Sequence, residues 1–314
     1  MQADLPHIRS FTTTCLELRT ASPISEMLNV SERLLMFSRL SYGIALFTAV
    51  AVGGTLSAQD SEADKIGKLY DVLALADLLS IMREEGLAYG EDIGTDLFMG
   101  DPGPDWDKAV STIYNLDRME AEVKIAFATD LADDDIDSMI AFFDSDLGRT
   151  IINLEVSARE ALLDETVEEA SKEAAALALA DEDPRMELIK TYADVNNIVE
   201  ANVVGAMNAN FAFYIGLMDG GAFPQALSEE EILADVWSQE PDIRTNTTEW
   251  VYSFLYLAYQ PLADEDIQAY IDFSETEAGR DINNALFSAF DGMFEDISKN
   301  LGRASSRFMT RQEL

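Results

Sequence analysis

The chain has 314 residues, 48% of them apolar, and carries 59 Asp and Glu against 21 Lys and Arg, for a net charge of −38. A surface this acidic repels nucleic acid and anionic membranes, which excludes both as partners, while the apolar content is too high for a disordered chain. The single cysteine, Cys15, and the single histidine, His7, lie close to the N-terminus. Downstream of them, disulfides, Cys or Ser-His-Asp catalysis and His/Cys zinc sites are excluded.

Residues 1–58 read as an export leader. An uncharged, mostly apolar run at 40–54 follows Arg33 and Arg39 and ends in Leu56-Ser57-Ala58. That order of charged, apolar and small residues is the pattern of a signal peptide, and the run is short for a membrane span. Cleavage after Ala58 is expected, leaving a chain that starts at Gln59 in the periplasm or outside the cell, with no membrane insertion thereafter. An uncleaved anchor is the alternative, and Met36 would start a leader of conventional length. Removing 1–58 takes away Cys15 and His7, and with them four bases and four acids, so the net charge stays at −38.

From Ser61 onward the pattern is helical. Ile66, Leu69, Tyr70, Leu73, Leu78 and Met82 form one apolar stripe that ends near Gly86, and residues 100–105 (GDPGPD) form a loop. Helices resume around Trp106 and again through Met119, Val123 and Phe127. Ile136, Met139, Ile140 and Phe143 then share a face, with Asp133 placed to cap its start. Asp144-Ser145-Asp146 interrupts that face. Ser145 caps a second helix carrying Leu147, Ile151, Ile152 and Leu154, which runs on toward the alanine-rich 174–180 before Asp181–Pro184 closes the segment.

This helix–corner–helix text at 131–158 returns without a gap at 262–289. Leu131/Leu262, Asp135/Asp266, Ile140/Ile271, Phe142/Phe273, Gly148/Gly279, Arg149/Arg280 and Ile151/Ile282 are identical pairs, and Thr276 stands for Ser145. Glycine in a first helical turn is about 1 kcal/mol worse than alanine, so Gly148 and Gly279 imply close backbone contact at each corner. Arg149 and Arg280 oppose the helix dipole there. They are expected either to bridge the preceding helix end and acids such as Asp144 and Glu275, or to form a paired site for an anionic ligand.

The second copy opens with a long stripe from Leu188 through Tyr192, Val199 and Val203 to Phe211, and 220–224 forms a loop. Ser228 and Glu231 make a capping box for a short helix reaching Trp237, which stands 131 residues after Trp106 and extends the repeat upstream. Pro241 opens the next helix, with Trp250, Phe254 and Leu255. The tail beyond Gly302, with Arg303, Arg307 and Arg311, is expected to fray. No strand pattern is visible.

Acids, an apolar face, Phe, a Ser/Thr-acid corner and then Gly-Arg resemble the domain of unknown function 2059 family, small helical exported proteins of Gram-negative bacteria. The likeness covers about 30 residues per copy. Departures are Ala132 and Ala263 at the usual cap, Asp146 and Glu277 where members have proline, and Arg for Gln. The resemblance implies a helical fold and an exported protein, and brings no activity to any residue.

Other chemistry reads weakly. Asp133, Asp135, Asp137 and Asp144 fit positions 1, 3, 5 and 12 of a calcium loop, but Ser138 holds the glycine position and the segment reads as helix. Asp101, Asp105 and Asp107 are a second thin candidate for a hard cation. Paired carboxylates near Trp106, Trp237 or Trp250 are the pattern of a glycosidase, although a chain this acidic always contains such pairs.

The reading is an all-α protein of two homologous units, 59–182 and 183–314, packed as a pseudo-twofold pair. Each unit gains core by burying an apolar face on its twin. No catalytic residue, metal ligand or cofactor is assigned. Gly148, Arg149, Gly279 and Arg280 are the candidate ligand or structural corner. The expected function is binding an unknown protein or small ligand outside the cytoplasm; the rival is a carboxylate-based hydrolase or metal-dependent enzyme.

Overall fold

The computed structural model describes residues 62–98, 102–131, 135–223 and 227–312. The leader with Cys15, His7 and Met36 lies outside them, as do Gln59, Gly100, Asp101, Ala132, Asp133 and Pro224. Every regular element among the described residues is a helix. The first seven are α1 (Glu62–Val72), α2 (Leu75–Leu97), α3 (Pro104–Ile113), α4 (Leu116–Asp130), α5 (Ile136–Phe143), α6 (Asp146–Ala161) and α7 (Glu165–Ala180). Six more follow: α8 (Pro184–Val195), α9 (Ile198–Gly220), α10 (Glu229–Ser238), α11 (Glu240–Tyr259), α12 (Asp264–Ser274) and α13 (Glu277–Gln312).

Three helix breaks fall where the apolar stripes read as continuous. Ala74 (φ 47°) divides α1 from α2, and Asn197 (φ 53°) divides α8 from α9. Residues 162–164 divide α6 from α7, where the Asp164 carboxylate accepts from the Thr166 N–H. A single left-handed residue re-aims the chain without removing the apolar residues beside it. Leu73 and Leu75, on either side of Ala74, are both fully buried. Gly86 also does not end its helix: α2 runs through it to Leu97, and Gly86, Gly90 and Gly94 admit Tyr114, Val110 and Trp106 against the backbone. The Trp106 indole donates to Gly90 O at 2.7 Å.

The centre of the molecule is the long pair α9 and α13. At their crossing, a Cβ on Gly302 would stand 2.1 Å from Phe213 O and 3.0 Å from Gly216 Cα. Beyond Gly302 the chain does not fray. Helix α13 continues to Gln312, Leu301, Ala304, Ser305 and Ser306 are buried, and Phe308 packs on Trp106 with centroids 5.3 Å apart. Small residues suit the close approach to α9, and they also hide the apolar stripe by which a core helix is recognised. Helices α2 to α5 lie against α13, while α6 and α7 lie against α11. One core runs from Ile66 in α1 to Ala304 in α13.

Six helices on each side of residue 182 follow the same order. A short helix is followed by a left-handed residue, a 23-residue helix and a 10-residue helix. Each set then continues through one further helix into a corner pair. The register of 131 holds from the corners onward, where Asp146 and Glu277 begin equivalent helices, and shrinks to 125 between Pro104 and Glu229. Trp106 and Trp237 are therefore not equivalents. Trp106 is the third residue of α3 and buried, whereas Trp237 is the ninth of α10 and exposed.

Candidate functional site: two glycine corners and a buried polar core

At the first corner Ser145 Oγ donates to Phe142 O at 2.6 Å and accepts from the Gly148 N–H at 3.0 Å. At the second, Thr276 Oγ1 donates to Phe273 O at 2.6 Å and accepts from the Gly279 N–H at 3.0 Å. A hydroxyl that closes one helix and caps the next forces the two helices into a sharp bend. The bend drives each glycine onto the last turn of the preceding helix. A Cβ would stand 2.2 Å from Phe142 O at Gly148 and 2.1 Å from Phe273 O at Gly279. The close neighbour is thus the corner's own first helix, and it is backbone.

Each arginine is turned back on its own corner. Arg149 bonds Asp144 at 2.8 Å and Asp146 at 3.1 Å, and Arg280 donates to Glu275 O. Gly148→Ala and Gly279→Ala should each lower stability by about 1–3 kcal/mol, the range for overpacking. Arg149→Gln should cost under about 1 kcal/mol, as an exposed pair does. Thermal melts check both, and a raised midpoint in either alanine variant would contradict the corner geometry.

The corners meet through aromatic rings. Phe142 and Phe273 stack with centroids 3.9 Å apart and planes 5° apart, and Tyr270 stacks on Phe142 at 5.6 Å. Behind them lies a group of buried polar side chains. The Tyr259 hydroxyl donates to Glu155 Oε1 at 2.6 Å, and the Tyr192 ring stands between Tyr259 and Tyr270 at 5.6 and 4.7 Å. One turn further along α6, Arg159 is 0% exposed. It forks onto Glu85 with Nε at 2.9 Å and Nη2 at 2.7 Å, and its guanidinium lies 5.3 Å from the Trp250 ring centre.

A void of about 40 Å³ borders this group, lined among others by Phe143, Glu155, Tyr192, Tyr270 and Gly279. It is water-sized and well below the roughly 300 Å³ at which small-molecule pockets begin. Burial pushes the Tyr259 hydroxyl far up, with the Glu155 charge acting the same way, and burial does the same to Tyr192. Both stay protonated at neutral pH. They donate fixed hydrogen bonds and lack the near-neutral pKa that acid–base exchange calls for.

A second buried network ties α9 to α10. Tyr214 and Gln239 both donate to Asp235 Oδ2, at 3.0 and 3.2 Å, and Asn210 donates to Gln239 Oε1 at 3.2 Å. Among the described residues, no group of three or more acidic, His or Cys side chains is placed to hold a metal ion. The aspartates of the calcium template are spread over other tasks. Asp135 caps α5 through the Ser138 N–H, Asp137 pairs with Lys65, and Asp144 pairs with Lys68 and Arg149.

One carboxylate is pushed toward neutrality. Burial, then the charge of Glu295, raises Asp291 to about 6, and its Oδ1 would lie 2.4 Å from a Cβ placed on Gly205. A folded pKa above the unfolded one means that the native state holds the proton more tightly between roughly pH 4 and 6. Stability from this group is therefore lost as pH rises through that window. Asp291→Asn should raise the melting temperature at pH 7, by a gain of about 1–2 kcal/mol after allowing for its partial exposure. Little change is expected at pH 4. Equal melts at pH 7 would contradict the shift.

Of the residues singled out in the sequence, Gly279 lines the void and Gly148 occupies the equivalent corner, while the two arginines turn outward. Glu155, Arg159, Tyr192 and Tyr259 were not singled out. A signal for two of them was present. Glu155 and Arg159 lie on the buried face with Ile151 and Ile152, and 131 residues later the same positions are Leu286 and Phe290.

No curated protein and no solved structure matches the chain. Residues 117–176, which run from α4 into α7, match the model of a family described as an uncharacterized protein conserved in bacteria (DUF2059), and this is the family to which the chain is similar.

Proposed function

We propose that this chain is a binding or interaction protein working outside the cytoplasm, built by internal duplication from units at 59–182 and 183–314. The duplication is supported by the shared helix order, by the matching bonds at Ser145 and Thr276, and by the stacking of Phe142 on Phe273. Equivalent residues that touch one another lie where a pseudo-twofold axis would run. The charged, apolar and small-residue order of 1–58 supports the compartment.

The observation that carries the binding reading is how the buried polar groups are used. Arg159 is forked onto Glu85, Glu155 accepts from Tyr259 and Asp235 accepts from Tyr214 and Gln239, beside a void of only about 40 Å³. Groups occupied in this way hold a core together, and recognition falls to the surface. The rival hydrolase reading calls for two buried acids converging in a pocket. Asp291 and Glu295, the acids raised by burial, lie one turn apart on a single helix.

Cross-linking of the full chain in the native cell envelope tests the reading. Discrete protein partners, together with an N-terminus at Gln59 by mass spectrometry, are the expected result. Intact residues 1–58 on the exported protein would overturn the cleaved-leader reading of the compartment. Turnover of a small molecule that Glu155→Gln abolishes would overturn the binding reading.

A further inference from the structure

We infer that the outward face of α10 is a docking ridge for a protein segment whose apolar seam is flanked by Lys and Arg. The inference rests on the binding reading above and gives it a place and a chemistry. Leu233 and Trp237 are 40% and 64% exposed and sit one helical turn apart on the same face. The other two tryptophans, Trp106 and Trp250, are buried. An indole left in water at an ordered helix does no work for the core.

The inner face of that helix is fully engaged. Ile232 and Val236 are buried, Asp235 is held by Tyr214 and Gln239, and the Ser228–Glu231 capping box fixes its start. The ridge is therefore presented in a fixed orientation, so little ordering entropy is lost on contact.

Charge selects the partner. Residues 229–242 contain six acids and no Lys or Arg, and Glu229, Glu230, Glu231 and Asp242 are exposed around the two apolar side chains. The next base, Arg244, is bound to Glu200 at 2.7 Å and Glu240 at 2.6 Å. Apolar anchors one turn apart fit an apolar seam, and the acidic rim favours basic rows beside it. A second copy of this chain would bring the same acids face to face. Anionic lipid would be repelled in the same way.

Synthetic 20-residue amphipathic peptides with Leu/Phe seams and Lys/Arg rims test the inference against the full chain. Glu-rimmed counterparts and vesicles of phosphatidylethanolamine and phosphatidylglycerol serve as controls. The basic peptides should bind and shift the Trp237 emission to the blue, with affinity falling as salt rises. Trp237→Ala and Leu233→Ala should each weaken binding at least tenfold while the thermal midpoint stays unchanged.

Unchanged affinity in Trp237→Ala would place the peptide elsewhere on the acidic surface and overturn the ridge. So would equal binding of the Glu-rimmed peptides, blue-shifted binding to the vesicles, or self-association that Trp237→Ala abolishes. The broader reading is separated by the envelope cross-links. Partners that persist in Trp237→Ala overturn the ridge alone, whereas a chain that captures no partner overturns both.

Discussion

Arg159→Met should lower the unfolding free energy by about 3 kcal/mol, the lower end of the range for breaking a buried ion pair. Methionine keeps the apolar stem among its neighbours and removes only the charge. Glu85 then loses the fork that now holds both of its oxygens. Its side chain retains 20% exposure, which softens the loss by leaving some contact with water. Adding Glu85→Leu should recover most of the stability, because a well-packed apolar pair can replace a buried bridge at little net change. Urea unfolding with an unchanged slope is the measurement. A single-variant loss under about 1 kcal/mol would show that the bridge is only a weak surface-type pair.

Gly302→Ala should destabilise by a similar amount, about 3 kcal/mol, at the top of the usual range for overpacking. The added methyl meets Phe213 O and the Leu217 N, which belong to the backbone of α9 and have no rotamer to escape into. Relief would require two long helices to move apart. Gly292 supplies the contrast within the same helix, since a Cβ there meets nothing within 4 Å. Gly292→Ala should therefore gain up to about 1 kcal/mol from helix propensity. Opposite shifts of the thermal midpoint in the two variants are the expected result. Two shifts of the same sign would contradict the close crossing.

The helical class and the corners were legible because they depend on short-range chemistry. A hydroxyl at Ser145 or Thr276 three residues before a backbone N–H, and the capping box at Ser228, are visible in a few residues of text. The breaks at Ala74 and Asn197 were not, because apolar spacing survives a single left-handed residue. Asn196-Asn197 carried a usable hint, since asparagine tolerates that region; Ala74 carried none.

The burial of residues 301–306 stayed hidden for a different reason. Leu301-Gly302-Arg303-Ala304-Ser305-Ser306 is shaped by closeness to α9, and closeness selects small residues instead of large apolar ones. Tyr192, Tyr259 and Tyr270 could not be grouped from the sequence because the folded chain alone brings α8, α11 and α12 together. Glu155 and Arg159 were within reach, by asking why one copy is charged where the other has Leu286 and Phe290.

The last helix made is the one on which much of the first part lies. Helix α13 contacts α2, α3, α4 and α5 as well as its main partner α9, so its contacts join residues synthesised early to residues synthesised last. Sequence separation of that kind slows assembly, because a long loop must close before any contact is gained. Helices α2 to α5 can form locally as the chain emerges, but their faces stay open to water until Glu277–Gln312 arrives. Folding is thereby held back until the chain is almost complete, and it then has to proceed in one step around the α9–α13 crossing. A chain kept loose for that long is still a threadable one.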